Sequence, residues 1–172
     1  NTLGQKVYFA GEESGCCERN CCGPLRPFDM KIVDNFGQQV INLNRPLKCQ
    51  GCCFPCCLQT MEISAPPGTV IGVVEQEWSI LYPKFVVKNA SDEVILRIEG
   101  PCFTCRCCAD VKFNVFSASG TKIGRISKQW TGIVKESLTD ADNFGISFPM
   151  DLDVKMKASL LGALFLIDMM YF

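Results

Sequence analysis

The chain has 172 residues, 17 Lys plus Arg against 18 Asp plus Glu, thirteen cysteines and no histidine. One domain with a sizeable core is expected at this length, and the absence of His excludes His-based acid–base catalysis and His metal ligation. A net charge of −1 gives no bulk basic character for nucleic acid, so no direct nucleic-acid site is evident.

In chain order, short β-branched runs alternate with turn signals up to Trp130. Met30–Val33 and Gln39–Leu43 around Asp34-Asn-Phe-Gly37 read as a hairpin. Phe85–Asn89 with Val94–Ile98, and Lys112–Phe116 with Lys122–Ile126, read as two more. Gly68-Thr-Val-Ile-Gly72 with Trp78 matches Gly120-Thr-Lys-Ile-Gly124 with Trp130 at an offset of 52. Upstream of each lies a cysteine cluster, Cys49-x-x-Cys52 and Cys102-x-x-Cys105, and upstream again Val40-Ile41 and Val94-Ile95. A shorter echo opens the chain, since Gly4-Gln5-x-Val7 stands to Cys16 as Gly37-Gln38-x-Val40 stands to Cys49. Such duplicated strand units cannot bury their faces alone. Ala65-Pro-Pro-Gly68 reads as a loop between units and Thr131–Leu138 as a short outer helix.

Ala158–Phe172, after the polar lead Asp151–Lys157, is apolar on every side and must be hidden in lipid or in a protein shell. At about 1.5 Å per residue it spans roughly 22 Å, short of a hydrocarbon core about 30 Å thick, and Asp168 would be costly there. An antiparallel barrel closed around a buried C-terminal helix satisfies the strands and the helix together. One domain over 1–172 is therefore expected: strand units over 1–130, a helix and loop over 131–151, and the apolar helix over 152–172. The chain opens on Asn1 and reads as a piece of a longer protein, with no secretory signal at its start.

The cysteines carry two open readings on their own chemistry. Five vicinal pairs and an odd count fit a disulfide framework poorly and suggest a reducing, cytosolic-side location. Cys52, Cys53, Cys56 and Cys57 could bind a thiophilic metal such as zinc, or be small buried hydrophobes. Cys49, Cys102 and Cys105 form a candidate thiolate metal set, because their clusters occupy equivalent places in the repeat.

The residues resemble the phospholipid scramblase family along essentially the whole chain. The resemblance is carried by Asn1–Gln5 with Val7–Phe9, Cys21-Cys-Gly23, Arg45-Pro-Leu47 with Cys49, Cys52–Cys57, Ala65–Gly68 and Gly100-Pro-Cys102. It continues through Ile126–Gly132, Asp140–Gly145, Phe148–Ala158 and Phe165–Asp168. The family's Pro-rich N-terminal segment is not in this sequence. The resemblance implies a tubby-like β-barrel and calcium-dependent, ATP-independent, bidirectional movement of membrane phospholipids between leaflets. It also implies palmitoylation at Cys52, Cys53, Cys56 and Cys57, the cytosolic face of the plasma membrane, and a nuclear pool reached through an importin. The import sequence falls on Gly124, Arg125, Ile126, Ser127, Lys128, Gln129, Trp130, Thr131, Gly132 and Ile133; with two basic residues it is weak by itself, and its apolar members also suit packing.

Asp140–Asp151 has the length of an EF-hand loop, with Asp140, Asp142, Phe144, Ile146, Phe148 and Asp151 at the calcium-ligand places and Gly145 at the turn. Three of those places are apolar, which points to affinity near 10⁻⁴–10⁻³ M. The competing reading makes Asp140 and Asp142 turn residues and alternates Phe144, Ile146 and Phe148 into the core as a strand. No hydrolytic or transfer constellation is present, since a cysteine nucleophile would lack its usual base. The main alternative to a transporter is an acyl-anchored lipid-binding signalling module whose helix stays inside the barrel. Paralogue, lipid selectivity and oligomeric state are not legible.

Overall fold

A computed structural model describes residues 6–13, 15, 26–48, 57–65, 68–102, 111–129 and 143–171. Ten strands form one sheet in sequence order, every neighbouring pair antiparallel. They are β1 (Tyr8–Glu13), β2 (Phe28–Asp34), β3 (Gln39–Arg45), β4 (Thr60–Ser64), β5 (Val70–Glu77), β6 (Lys84–Asn89), β7 (Val94–Glu99), β8 (Val111–Ser117), β9 (Lys122–Gln129) and β10 (Asn143–Ser147). Among the described residues one helix, α1 (Val154–Tyr171), follows. The three hairpins read from the sequence are β2–β3, β6–β7 and β8–β9. The duplication reaches the fold: β5 and β9 begin and end 52 residues apart, and the register shifts at Ile63/Ser64 and Val115/Phe116 share that offset.

One turn is built repeatedly, from local chemistry. The backbone N–H of Asp34, Ala65, Asn89 and Ser117 each donates to the carbonyl four residues on. The side chains of Asp34, Asn89 and Ser117 accept the N–H of that same fourth residue, at 2.9, 3.0 and 3.2 Å. The residue at the third place has positive φ: Gly37 at 78°, Gly68 at 98°, Gly120 at 84° and Asp92 at 63°. Glycine suits that backbone, and Asp is among the few others that tolerate it.

Strand alternation supplies the shell. Phe28, Met30 and Ile32 of β2, Met61 and Ile63 of β4, Leu96 and Ile98 of β7, and Val111, Phe113 and Val115 of β8 point inward and are buried. They pack with α1 in one core, and the buried residues of the helix, from Gly162 and Leu166 round to Leu160 and Leu164, span roughly 200° of its circumference at about 100° per residue. Asp153 starts the helix, its carboxylate accepting the Lys155 N–H at 2.8 Å. Gly162 and Gly72 permit the closest approaches: a Cβ on Gly162 would meet Ile63 and Leu43, and one on Gly72 would meet Ser159.

The helix is thus an interior element. Among the described residues no helix is long and apolar enough to cross a membrane. The expectation of a closed barrel is met only in part, because the sheet is not closed: β1 and β10 are its two ends, and among the described residues no pairing joins them. β1 exposes Tyr8 and Phe9. The expected outer helix at Thr131–Leu138 lies outside the described residues.

Candidate functional site at the cysteine end

Consecutive antiparallel pairing sorts the connections onto two ends. The tight turns at 35–38, 65–69, 90–93 and 118–121, with the lead into α1, lie at one end. The connections after β1, β3, β5, β7 and β9 leave from the other, and those after β1, β3 and β7 hold all thirteen cysteines. α1 runs from the turn end to the cysteine end, where the Tyr171 ring stands edge-on to Phe85 at 6.3 Å.

Of the acylation residues, Cys57 is described and half-buried, while Cys52, Cys53 and Cys56 lie outside the described residues. Of the thiolate metal set, Cys102 is exposed and Cys49 and Cys105 lie outside. Among the described residues no group of three His, Cys, Asp or Glu could hold a metal.

The connection between β5 and β6 is apolar where a polar loop is usual. Trp78 is 50% exposed, Ile80 75% and Leu81 66%. Tyr82 follows, with the Lys84 ammonium 4.8 Å from its ring centre. Sequence reading assigned Trp78 to the repeat alone; the signal it passed over was an apolar run where turn chemistry should stand.

Beside this loop, at the ends of β2, β3 and β4, lies a buried cation. Arg45 is 1% exposed and pairs in register with Phe28, whose ring centre lies 5.8 Å from the guanidinium. Its Nε donates to Gln59 Oε1 at 3.0 Å, and Gln59 Nε2 donates to the Lys48 carbonyl at 2.8 Å. Gln59 is tied in turn to Gln76, whose Oε1 accepts the Gln59 N–H at 3.2 Å. Nη1 and Nη2 of Arg45 are buried and have no hydrogen-bond partner among the described residues. Burial, and then the charge of Arg26, pushes the guanidinium from 12.5 down to about 10. Arg26 itself donates through Nε and Nη2 to the two oxygens of Glu12 at 2.7 and 2.8 Å. Arg45 carried the family resemblance in the sequence, but its burial was invisible there.

Of the calcium set, Asp140 and Asp142 lie outside the described residues. Asn143–Ser147 is strand β10, with Phe144 opposite Lys128 and Ile146 opposite Ile126. Phe144, Ile146 and Phe148 pack against the core, as the strand reading has it. Asp151 is exposed at the turn end, lining a cavity of about 760 Å³ with Glu93, Ser117 and Asp153. Four residue steps of β10, about 13 Å at the usual strand rise, separate Asn143 from Ser147. The middle of that twelve-residue stretch is thus extended backbone.

Part of the import sequence is strand: Arg125–Lys128 is paired to β8 on one side and β10 on the other, Gly124 is paired to β8, and Ile126 is buried. A Cβ on Gly124 would collide with the Ser147 carbonyl. A receptor reading this stretch as an extended peptide must first take β9 from the sheet. Trp130, Thr131, Gly132 and Ile133 lie outside the described residues.

Comparison with known proteins agrees with the sequence resemblance. The scramblase family model matches residues 1–172. The whole chain aligns with phospholipid scramblase 2 of Bos taurus at 60% identity, covering 59% of that protein. It aligns with human phospholipid scramblase 1 at 58%, covering 54%, and with human phospholipid scramblase family member 5 at 52%, covering 64%. The chain thus spans a little over half the length of the first of these relatives. No solved structure matches it. With the family model matched from end to end and identity this high along every residue, the chain belongs to the scramblase family.

Proposed function

We propose that this chain is the core of a phospholipid scramblase that moves phospholipids in both directions between leaflets, without ATP and in response to calcium. The observation that carries the reading is a coincidence at one end of the fold. The connections holding all thirteen cysteines leave from the end where Trp78, Ile80 and Leu81 are exposed. Trp and Tyr suit the headgroup level of a bilayer, and several acyl chains on Cys52, Cys53, Cys56 and Cys57 would anchor that end stably to the cytosolic face. Zinc on Cys49, Cys102 and Cys105 is the competing use of the same end, since acylation and ligation exclude each other at one sulfur. Closure of the sheet between β1 and β10 would complete the tubby-like plan. We assign the calcium response to Asp140–Asp151, with Asp140, Asp142 and Asp151 as its carboxylates and the backbone carbonyls at Phe144, Ile146 and Phe148 beside them.

The test is lipid flux in vesicles holding a fluorescent phospholipid, with and without calcium and with no ATP. Flux that rises with calcium supports the reading. Ile80→Ser with Leu81→Ser should cut vesicle binding at least about tenfold, since full burial of one such side chain is worth about 1.5–3 kcal/mol. Intact binding without flux would sink transport. It would leave the second reading, an acyl-anchored lipid-binding signalling module with a nuclear pool reached through an importin, which the burial of α1 favours.

A further inference from the structure

We propose that Arg45 is an anion-binding residue, its guanidinium taking an oxyanion of the phosphate class through Nη1 and Nη2. The starting point is an incomplete hydrogen-bond account. A buried guanidinium normally has acceptors for its donors, because an unpaired buried charge is strongly destabilising. Arg45 has one acceptor among the described residues, the neutral Gln59 oxygen on Nε, and both terminal nitrogens are buried without one. Among the described residues no ion pair includes Arg45, and the carboxylate nearest in the network, Glu12, is engaged on both oxygens by Arg26.

The surroundings hold the cation in place without neutralising it. Gln59 is 0% exposed, fixed by the Lys48 carbonyl and by reciprocal bonds with Gln76. It fixes Nε of Arg45 and so orients the other two nitrogens as a planar fork. The Phe28 ring adds a weak attraction at 5.8 Å. Arg26 lies close enough for its charge to be felt, and it is itself paired with Glu12. A water molecule could accept hydrogen bonds there but would leave the charge uncompensated. A fork of two N–H donors matches two oxygens of a phosphate or carboxylate. Arg45 is the last residue of β3, at the cysteine end, and is 1% exposed, so an anion reaches the fork only when the local packing opens.

That chemistry has two sources, a lipid headgroup or a free phosphate. Only the first rests on the proposed function. The experiment is thermal unfolding of the chain in inorganic phosphate titrated at constant ionic strength, for wild type, Arg45→Met and Arg45→Lys. Phosphate at ten times its dissociation constant should raise the wild-type midpoint by about 3–6 °C. Arg45→Met should lose the shift, and Arg45→Lys, a point charge without the fork, should keep only part of it. No shift in wild type, or an equal shift in Arg45→Met, overturns the proposal. If Arg45→Met does not fold, an Arg45→Lys shift equal to wild type overturns it instead. Flotation with phosphatidylcholine vesicles, with and without phosphatidylserine, then separates the sources. Arg45-dependent flotation assigns the site to headgroups. A phosphate shift with Arg45-independent flotation assigns it to a soluble phosphate, and counts against the lipid reading while the site stands.

Discussion

Replacing Gly162 by Leu separates a helix inside a protein shell from a helix in lipid, because the two settings predict opposite signs. In lipid the change is favourable, since Leu inserts at about −0.3 to −0.6 kcal/mol at a helix centre, and Leu is also the better helix former by about 0.8 kcal/mol. Inside the sheet the first added carbon alone would sit 2.7 Å from Ile63 Cγ1, 3.1 Å from Ile63 Cδ1 and 3.4 Å from Leu43 Cδ2. Ile63 and Leu43 are both 0% exposed and have nowhere to retreat. Overpacking costs about 1–3 kcal/mol, and a whole isobutyl group belongs at the top of that range. After the gain in helix propensity, a net loss of about 2 kcal/mol is expected, or about 4–8 °C in the melting midpoint at this chain length. Thermal and urea unfolding in detergent-free buffer measure it. Hydrogen exchange across Val154–Tyr171 reports the same packing independently, with strong protection expected. Unchanged or raised stability in Gly162→Leu, with an unprotected helix, would refute the interior placement.

Three further outcomes follow from the turns and the buried tyrosine. Gly120→Val should cost about 1–2 kcal/mol, because φ is 84° there and a β-branched residue is strained. Asp92→Gly, at the same place in its own turn, should not lower stability in urea; a loss there would mean that the contact of Asp92 with Lys88 at 3.0 Å outweighs the backbone. Burial raises the Tyr171 hydroxyl from 10.0 to about 12. The folded state therefore holds that proton more tightly than the unfolded state, and its contribution is complete below pH 10 and lost as pH rises toward 12. Tyr171→Phe should flatten the decline in stability across that window; Arg45, whose lowered pKa acts in the opposite sense there, is common to both proteins. A decline as steep in Tyr171→Phe as in wild type would remove Tyr171 as its cause.

What the sequence by itself determined is what local chemistry and periodicity encode. Asp34-Asn-Phe-Gly37 and Ser117-Ala-Ser-Gly120 specify their turns through a side-chain acceptor and a glycine a few residues apart. Alternation in β2, β4 and β8 specifies an inward face, and an all-round apolar run specifies a helix that must be hidden. Tertiary structure decided what depends on residues far apart in the chain. Asp140–Asp151 has an EF-hand's spacing, yet Asn143–Ser147 pairs with β9, because burying Phe144, Ile146 and Phe148 on the core suits a strand. Arg125–Lys128 has a motif's letters but stands between two partner strands. Ten strands in sequence order carry every cysteine connection to one end, a parity that no single spacing shows. Arg45 is the clearest case: three strand ends converge on it, and the resulting burial leaves two of its nitrogens without an acceptor among the described residues. Local signals select the elements, while burial and its electrostatic cost arise only when the elements meet.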